Sequence, residues 1–441
     1  MKPTHTPMIK QYLEIKNRHP NEILFFRLGD FYEMFFDDAL LASRELEITL
    51  TGRDGGTPEK VPMCGVPYHA AEGYILKLIA KGYRVAICEQ IEDPKTVKGI
   101  VKRDVIKIIS PGTILSENAI VDTKNNFLVV VCSEEKSIGL SAIDITTGEC
   151  FWALFDATAT INDVCDQLFR LSPVEILWDK NLYERAELEC FVGAHLRGCF
   201  CSEFPSENLA LDNDVLACRF DGSEIPTAPA AIRAVEYGLA YVKYNLKTEM
   251  EHINRLICLN NKDYLVLDTV SLRNLEITRN IKDGGKKGTL LEILDFTKTA
   301  MGARLLKKWL EAPLLTVSDI VYRQQGITET FNNNILRNKI QEQLTTIYDF
   351  ERIMTRIEIG TANARDLCSL KASLASIPAI LNAMESSNSP ILSHIKNNIL
   401  AHEDIQALIN ATIVENPPFS IREGGIINQG ISEDLDELRE L

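Results

Sequence analysis

The chain contains no stretch of 18 or more consecutive apolar residues, so no membrane-spanning helix is expected. Its opening residues, MKPTHTPMIKQYLEIK, lack the apolar segment of a secretory signal. A cysteine framework is missing too: 11 cysteines, an odd number, are scattered from Cys64 to Cys368 without regular spacing, as free thiols of a reducing compartment would be. These absences together predict a soluble, cytoplasmic protein. Net positive charge is also lacking. With 47 Lys and Arg against 62 Asp and Glu the formal charge is -15, which argues against a nonspecific coat for nucleic acid, because neutralising phosphates needs clustered cations. No internal repeat or low-complexity tract is present.

What remains is an ordinary globular composition, 45% hydrophobic and 25% charged, over 441 residues. That length exceeds one hydrophobic core and predicts about three domains. The acidity is unevenly placed. Residues 1–115 carry 16 Lys and Arg against 15 Asp and Glu, leaving 31 against 47 for residues 116–441. Only the first segment is neutral enough to approach a nucleic-acid duplex easily.

Thr6-Pro7 reads as a helix cap followed by proline at the first helical position, with Met8, Tyr12 and Ile15 on one face. Residues 22–28 predict a buried strand, 37–47 a helix, 69–81 an amphipathic helix closed by Gly82, and 83–88 and 105–109 further strands. Residues 53–67, punctuated by Gly55, Gly56, Pro58, Pro62 and Pro67, predict a long loop. The first domain is therefore mixed α/β and ends near Pro111-Gly112. After a linker at 116–126, residues 127–132, 138–145 and 149–155 predict an antiparallel meander, followed by a helix at 162–170 and a strand at 174–178. This second α/β domain runs to about residue 245, and its last stretch, 228–247, is already helical. From about residue 263 only helices are expected: 263–279, 290–296, 301–311, 317–331, 347–359, 364–380 and 402–413. The final segment, SEDLDELREL, begins with Ser432 as cap and carries Leu435, Leu438 and Leu441 at i, i+3 and i+6, predicting the start of a longer helix.

The chemistry is concentrated in Gly29-Asp30-Phe31-Tyr32-Glu33-Met34-Phe35, which follows a strand in the neutral first domain. In an extended segment side chains alternate, so Phe31 and Glu33 share one face and Tyr32 takes the other. An exposed phenylalanine can wedge between base steps from the minor groove, at least cost where pairing is already faulty. A carboxylate beside it is repelled by phosphates and binds well only where a base edge offers a compensating hydrogen bond, with the acid protonated against a ring nitrogen in one version of that contact. Composition alone favours a plainer expectation, in which Phe25, Phe26, Phe31, Phe35 and Phe36 are all core. A second cluster, Cys190, His195, Cys199 and Cys201, offers metal-ligating side chains, but C-x4-H-x3-C-x-C is no standard zinc spacing, so buried thiols and a surface histidine are expected.

At GDFYEMF (29–35) the sequence resembles the bacterial MutS family, whose first domain carries a G-D-F-Y-E-x-F element. TPMIKQYLEIK (6–16), VPMCGVPYHA (61–70), VAICEQIEDP (85–94) and ISPGT (109–113) fall in family order. DYLVLDTVSLRNLEI (263–277), MGARLLKKWLEAPL (301–314) and IREGGIINQGISEDLDELR (421–439) continue the resemblance, so it covers essentially the whole chain. Ala300, where the family often has proline, and a divergent stretch at 322–326 are minor departures.

The resemblance implies a fold of α/β plus all-α class. Residues 1–115 would be the mismatch-recognition domain, 124–247 a connector of ribonuclease H-like topology, and 248–425 a helical core and lever domain that stops before the ATPase. Residues 426–441 would begin a long lever helix. It also implies that Phe31 stacks on the mispaired base while Glu33 hydrogen-bonds its edge, in recognition of double-stranded DNA carrying mismatches or small loops. ATP and Mg as cofactors, a homodimer, and a MutL-type repair partner belong to the full-length family. A P-loop is absent. The nearest sequence, 284–289, has the wrong spacing for G-x-x-x-x-G-K-[ST] and reads as a helix-entry loop, so this chain is expected to hold no nucleotide and hydrolyse no ATP. Two other functions stay open at this point. One is a family paralogue acting in recombination or as a scaffold, although such relatives tend to lack the Phe-x-Glu element. The other is a connector nuclease built around Asp144, for which a single strand carboxylate is an insufficient metal site.

Overall fold

The computed structural model describes residues 5–92, 99–116, 120–134, 136–156, 161–204, 215–220, 222–259, 264–418 and 421–441. Parts of three expected segments lie outside these: Asp93 and Pro94, the linker residues Glu117, Asn118 and Ala119, and Asp263. The chain divides into two compact units, one built from residues 1–120, 126–145 and 149–258, the other from 121–125, 146–148 and 259–441.

The first unit begins with helix α1 (Pro7–Arg18), strands β1 (Ile23–Leu28) and β2 (Phe31–Phe35), helix α2 (Phe36–Leu46), strands β3 (Thr51–Arg53) and β4 (Val61–Pro67), helix α3 (Ala71–Ala80), and strands β5 (Val85–Gln90) and β6 (Arg103–Ile109). The strands form one mixed sheet in the order β3-β4-β2-β1-β5-β6, in which only β1 and β5 are parallel. Ile9, Tyr12 and Ile15 recur at helical spacing and pack α1 on Leu24, Phe26 and Phe35 on one face. Helices α2 and α3 cover Ile23, Phe25, Tyr32 and Met34 on the other. Because both faces are covered, β1 is a nearly continuous apolar run. The buried Asp38 ties these layers together: its carboxylate accepts hydrogen bonds from Leu24 N (3.0 Å) and Tyr12 Oη (3.0 Å) and pairs with Lys16 Nζ at 2.8 Å.

Residues 53–67 are not one loop. Thr51–Arg53 and Val61–Pro67 form a hairpin that extends the sheet, with Pro62 and Pro67 inside a strand. A proline there removes one ladder donor but leaves the rest of the pairing intact, which is why the prolines misled the sequence reading.

The same unit continues through β7 (Leu128–Glu134), β8 (Ser137–Asp144), β9 (Glu149–Phe155), α4 (Ile161–Leu171), β10 (Glu175–Trp178), α5 (Lys180–Tyr183), α6 (Ala186–His195), β11 (Phe200–Glu203), α7 (Val215–Arg219), α8 (Pro229–Leu246) and β12 (Leu256–Cys258). The expected antiparallel meander β7-β8-β9 is present. β10 adds parallel to β7, β11 parallel to β10 and β12 parallel to β9, giving the order β11-β10-β7-β8-β9-β12. Helix α8 lies close against the sheet at Gly139, where a Cβ would fall 2.1 Å from Ala230 O. The buried Glu175 joins the two sheets. Its carboxylate accepts from Ser110 Oγ (2.5 Å) and Gly112 N (2.7 Å) at the end of the first sheet's segment and from Tyr241 Oη (2.6 Å) of α8.

The second unit is helical. Its helices of ten or more residues are Ala300–Glu311, Val317–Asn332, Asn334–Leu344, Phe350–Ile359, Ala364–Met384 and Glu403–Thr412. The expected helix at 263–279 is only Thr269–Asn274, ending where Glu276 adopts φ +46°. Helices Asn334–Leu344 and Pro390–Asn398 were not foreseen. Helix Ala364–Met384 is long and apolar enough, by length and composition alone, to cross a membrane. Here Leu370 and Leu374 pack with Ile353, Ile409 and Ile413, and its first turn is fixed by a capping box between Asn363 and Asp366. Arg304 is the polar anchor of the unit, bidentate to Asp349 at 2.7 and 2.8 Å and 2.5 Å from Glu351.

Candidate nucleic-acid interface

β1 and β2 form a hairpin whose register pairs Leu28 with Phe31, leaving Gly29 and Asp30 as a two-residue turn. Gly29 takes φ +57° there, a conformation that a side chain disfavours. Arg27 Nε donates to Gly29 O at 2.6 Å, and Tyr68 N donates to Asp30 O at 2.9 Å, so the tip is held from both sides.

Strand alternation separates the aromatic run by environment. Phe25, Phe26 and Phe35 are fully buried, and Tyr32 is 8% exposed within the core under α2 and α3, whereas Phe31 is 47% exposed. The plainer expectation therefore holds for its neighbours and fails for Phe31, because α1 covers only the part of that face carrying Phe26 and Phe35. Glu33 lies on the same face as Phe31, two residues along, and its side chain is largely covered by an ion pair with Arg53 of β3. Opposite Glu33 in the register stands Gly65, where a Cβ would lie 3.4 Å from Glu33 Cγ and 3.2 Å from Tyr32 O. The glycine makes room for the carboxylate beside the sheet.

Beneath this surface, Tyr32 Oη donates a hydrogen bond to Glu89, and Arg27 Nη1 lies 3.4 Å from the same carboxylate. The Arg27 guanidinium sits 3.8 Å from the centroid of the Tyr68 ring. Burial, then the Glu89 hydrogen bond, push the Tyr32 hydroxyl well above the ordinary tyrosine range, so it stays a neutral donor. Arg103 Nε closes the network by donating to Arg27 O at 2.7 Å. The strand that presents Phe31 and Glu33 is thus fastened on its hidden side by Arg27 of β1 and Glu89 of β5, while Arg103 of β6, over the Phe26 ring and bonded to Gln11 of α1, braces β1 from the other face. Arg53, Glu89 and Gly65 were not anticipated. Each lies 20 or more residues from its partner on β2, and no local periodicity connects them.

Among the described residues no group of three His, Cys, Asp or Glu side chains is placed to hold a metal ion. His195 instead packs on Phe191, ring centroids 5.0 Å apart, and Asp144 is buried with its carboxylate accepting from Asn126 N at 3.0 Å. The glycine loop at 284–289 is closed by its own side chains. Its amides at Gly284 and Gly285 are satisfied by Asn280 and Asp283 side chains, and Thr289 caps a helix of only five residues.

Comparison with known proteins gives the family of the chain. Family models described as MutS domain I, MutS domain II and MutS domain III match residues 6–118, 126–254 and 270–440. A protein of Alkaliphilus oremlandii named DNA mismatch repair protein MutS is 43% identical over 443 residues, covering 98% of this chain and 50% of that protein. Proteins of the same name from Desulforamulus reducens and Listeria monocytogenes are each 42% identical, covering 98% and 99% of this chain and 50% of their own length. The chain spans about half the length of the curated relatives it matches. With three domain models in order and this identity along nearly its full extent, the chain belongs to the MutS family.

Proposed function

We propose that this protein recognises mispaired or looped-out bases in duplex DNA as part of mismatch repair, with Phe31 as the intercalating wedge and Glu33 as the reader of the displaced base edge. The observation that carries this is the exposure of Phe31 on a rigidly held hairpin whose other phenylalanines are core. A ring presented this way bears the cost of unstacking once, and that cost is lowest at a faulty pair. Glu33 adds selectivity by penalty. Held by Arg53, it is neutralised in the free protein; near bases it gains only where a hydrogen-bonding edge replaces what it loses. The presence of both residues on one accessible face favours this reading over a paralogue devoted to recombination or scaffolding.

The names of its relatives support the assignment to repair. The strand order β9-β8-β7-β10-β11, an antiparallel meander followed by two parallel strands, supports a ribonuclease H-like connector. We place coupling to ATP and Mg, homodimer formation and recruitment of a MutL-type partner in the full-length protein, acting in the cytoplasm. No nucleotide step is assigned to residues of this chain.

The test is equilibrium binding of the full-length protein to a 20–30 base-pair duplex with and without one mismatch, a length chosen to span the bend that such a wedge imposes. Phe31→Ala is expected to lower affinity for the mismatched duplex by on the order of 1–3 kcal/mol and to bring it level with homoduplex. Retained discrimination would refute the wedge.

A further inference from the structure

Two sets of cysteines differ chemically. Cys64, Cys88, Cys132, Cys150 and Cys165 are buried, and burial pushes their thiols up to about 11 or 12, which makes them poor nucleophiles. Cys199 and Cys201 are partly accessible and flank Phe200 at the start of the edge strand β11. Cys201 lies in β11 and Cys199 just before it, and the two thiols are near enough to shift each other's titration. The interaction holds Cys201 below the ordinary thiol range at the expense of Cys199, which is raised by Cys201 and by burial.

The position of the pair gives its oxidation a structural consequence. Phe200, between the thiols, packs its ring onto the backbone of Gly82 in the turn after α3, so closely that a Cβ there would fall 1.9 Å from the ring. In the β10–β11 register Phe200 is paired with Glu175, the buried carboxylate that holds Ser110 and Gly112 to α8. An extended i, i+2 pair has Cα atoms about 6.6 Å apart, from a rise of about 3.3 Å per residue. A relaxed disulfide prefers about 5.5–6 Å, so closing one pinches the strand at Phe200.

We propose that Cys199 and Cys201 are a peroxide-oxidisable dithiol whose closure loosens the fastening between the first sheet and the second. The Cys201 thiolate attacks a hydroperoxide; an S–O bond forms, the O–O bond breaks, and the departing oxygen takes up a proton. The resulting sulfenic acid is attacked by Cys199 sulfur, forming S–S and breaking S–O, and the Cys199 proton leaves with the oxygen as water. Two thiols are oxidised by two electrons, one peroxide is reduced, and a dithiol reductant reverses the step.

The test exposes the full-length protein to hydrogen peroxide, quenches it with N-ethylmaleimide and maps thiols by mass spectrometry. A Cys199–Cys201 disulfide is expected to form at least about tenfold faster than oxidation of the exposed Cys190 or Cys218. Cys199→Ser should leave Cys201 as a sulfenic acid captured by dimedone, and Cys201→Ser should abolish that capture. Amide exchange at residues 110–113 should rise about tenfold on oxidation and revert with dithiothreitol. Slower oxidation of this pair than of Cys190, or unchanged exchange after disulfide formation, would overturn the proposal.

Discussion

At the scale of single residues, α1 covers Phe26 and Phe35 but not Phe31 on the face all three share, and what was legible in the strand period is that Phe31 and Glu33 lie together on it. The partner of Glu33 was not. Arg53 lies on a strand read as loop, 20 residues away, and cross-strand ion pairs leave no trace in local sequence. The pair leads to an asymmetric prediction. Glu33→Ala is expected to leave homoduplex binding unchanged or stronger while mismatch preference falls, measured by titrating both duplexes in parallel; equal losses on both would show that Glu33 serves only the fold. Gly29→Ala isolates conformation from contact, because nothing lies within 4 Å of the added Cβ while φ is +57°. It should cost about 1 kcal/mol of stability, read as a shift of the urea midpoint.

At the scale of elements, apolar periodicity located most of the helices and strands. Helix α1 and the β7-β8-β9 meander are as expected, since each buries a regular set of side chains. Two helices went unread: Asn334–Leu344, which buries only Leu336, and Pro390–Asn398, which buries nothing fully. Helix Ala364–Met384 runs through Pro378, past the residue where the reading stopped it. The end of α1 carries a pH dependence. His19 is buried against Tyr244 of α8, and burial, then Lys247, lower its pKa to about 4. A histidine kept neutral in the folded state stabilises fully above its unfolded value near 6.5, and that contribution is lost as pH falls from there towards 4. It is worth at most about 3 kcal/mol. Urea midpoints between pH 7 and 4 should fall more steeply for the native protein than for His19→Leu; parallel curves would assign the acid sensitivity elsewhere.

At the scale of the whole molecule, charge distribution pointed to the first domain as the DNA-facing part, and resemblance supplied the domain order. What neither supplied is how the sheets of the first unit are joined. Glu175 does this with three hydrogen bonds on a fully buried carboxylate. Glu175→Gln preserves volume but replaces one acceptor oxygen with a donor, and is expected to cost about 1–3 kcal/mol. Calorimetry should then show a lower melting temperature, and an unchanged one would remove Glu175 from its joining role. The helical unit leaves Phe296, Val317, Phe331 and Ile335 largely exposed, so the isolated 441-residue chain is expected to associate in light scattering as concentration rises. The central claim, that an aromatic ring at position 31 enters the duplex at a faulty pair, is tested most directly by Phe31→Trp emission. Saturating mismatched duplex should quench that indole by base stacking while homoduplex at equal occupancy leaves it unchanged. Identical emission with both duplexes would contradict it.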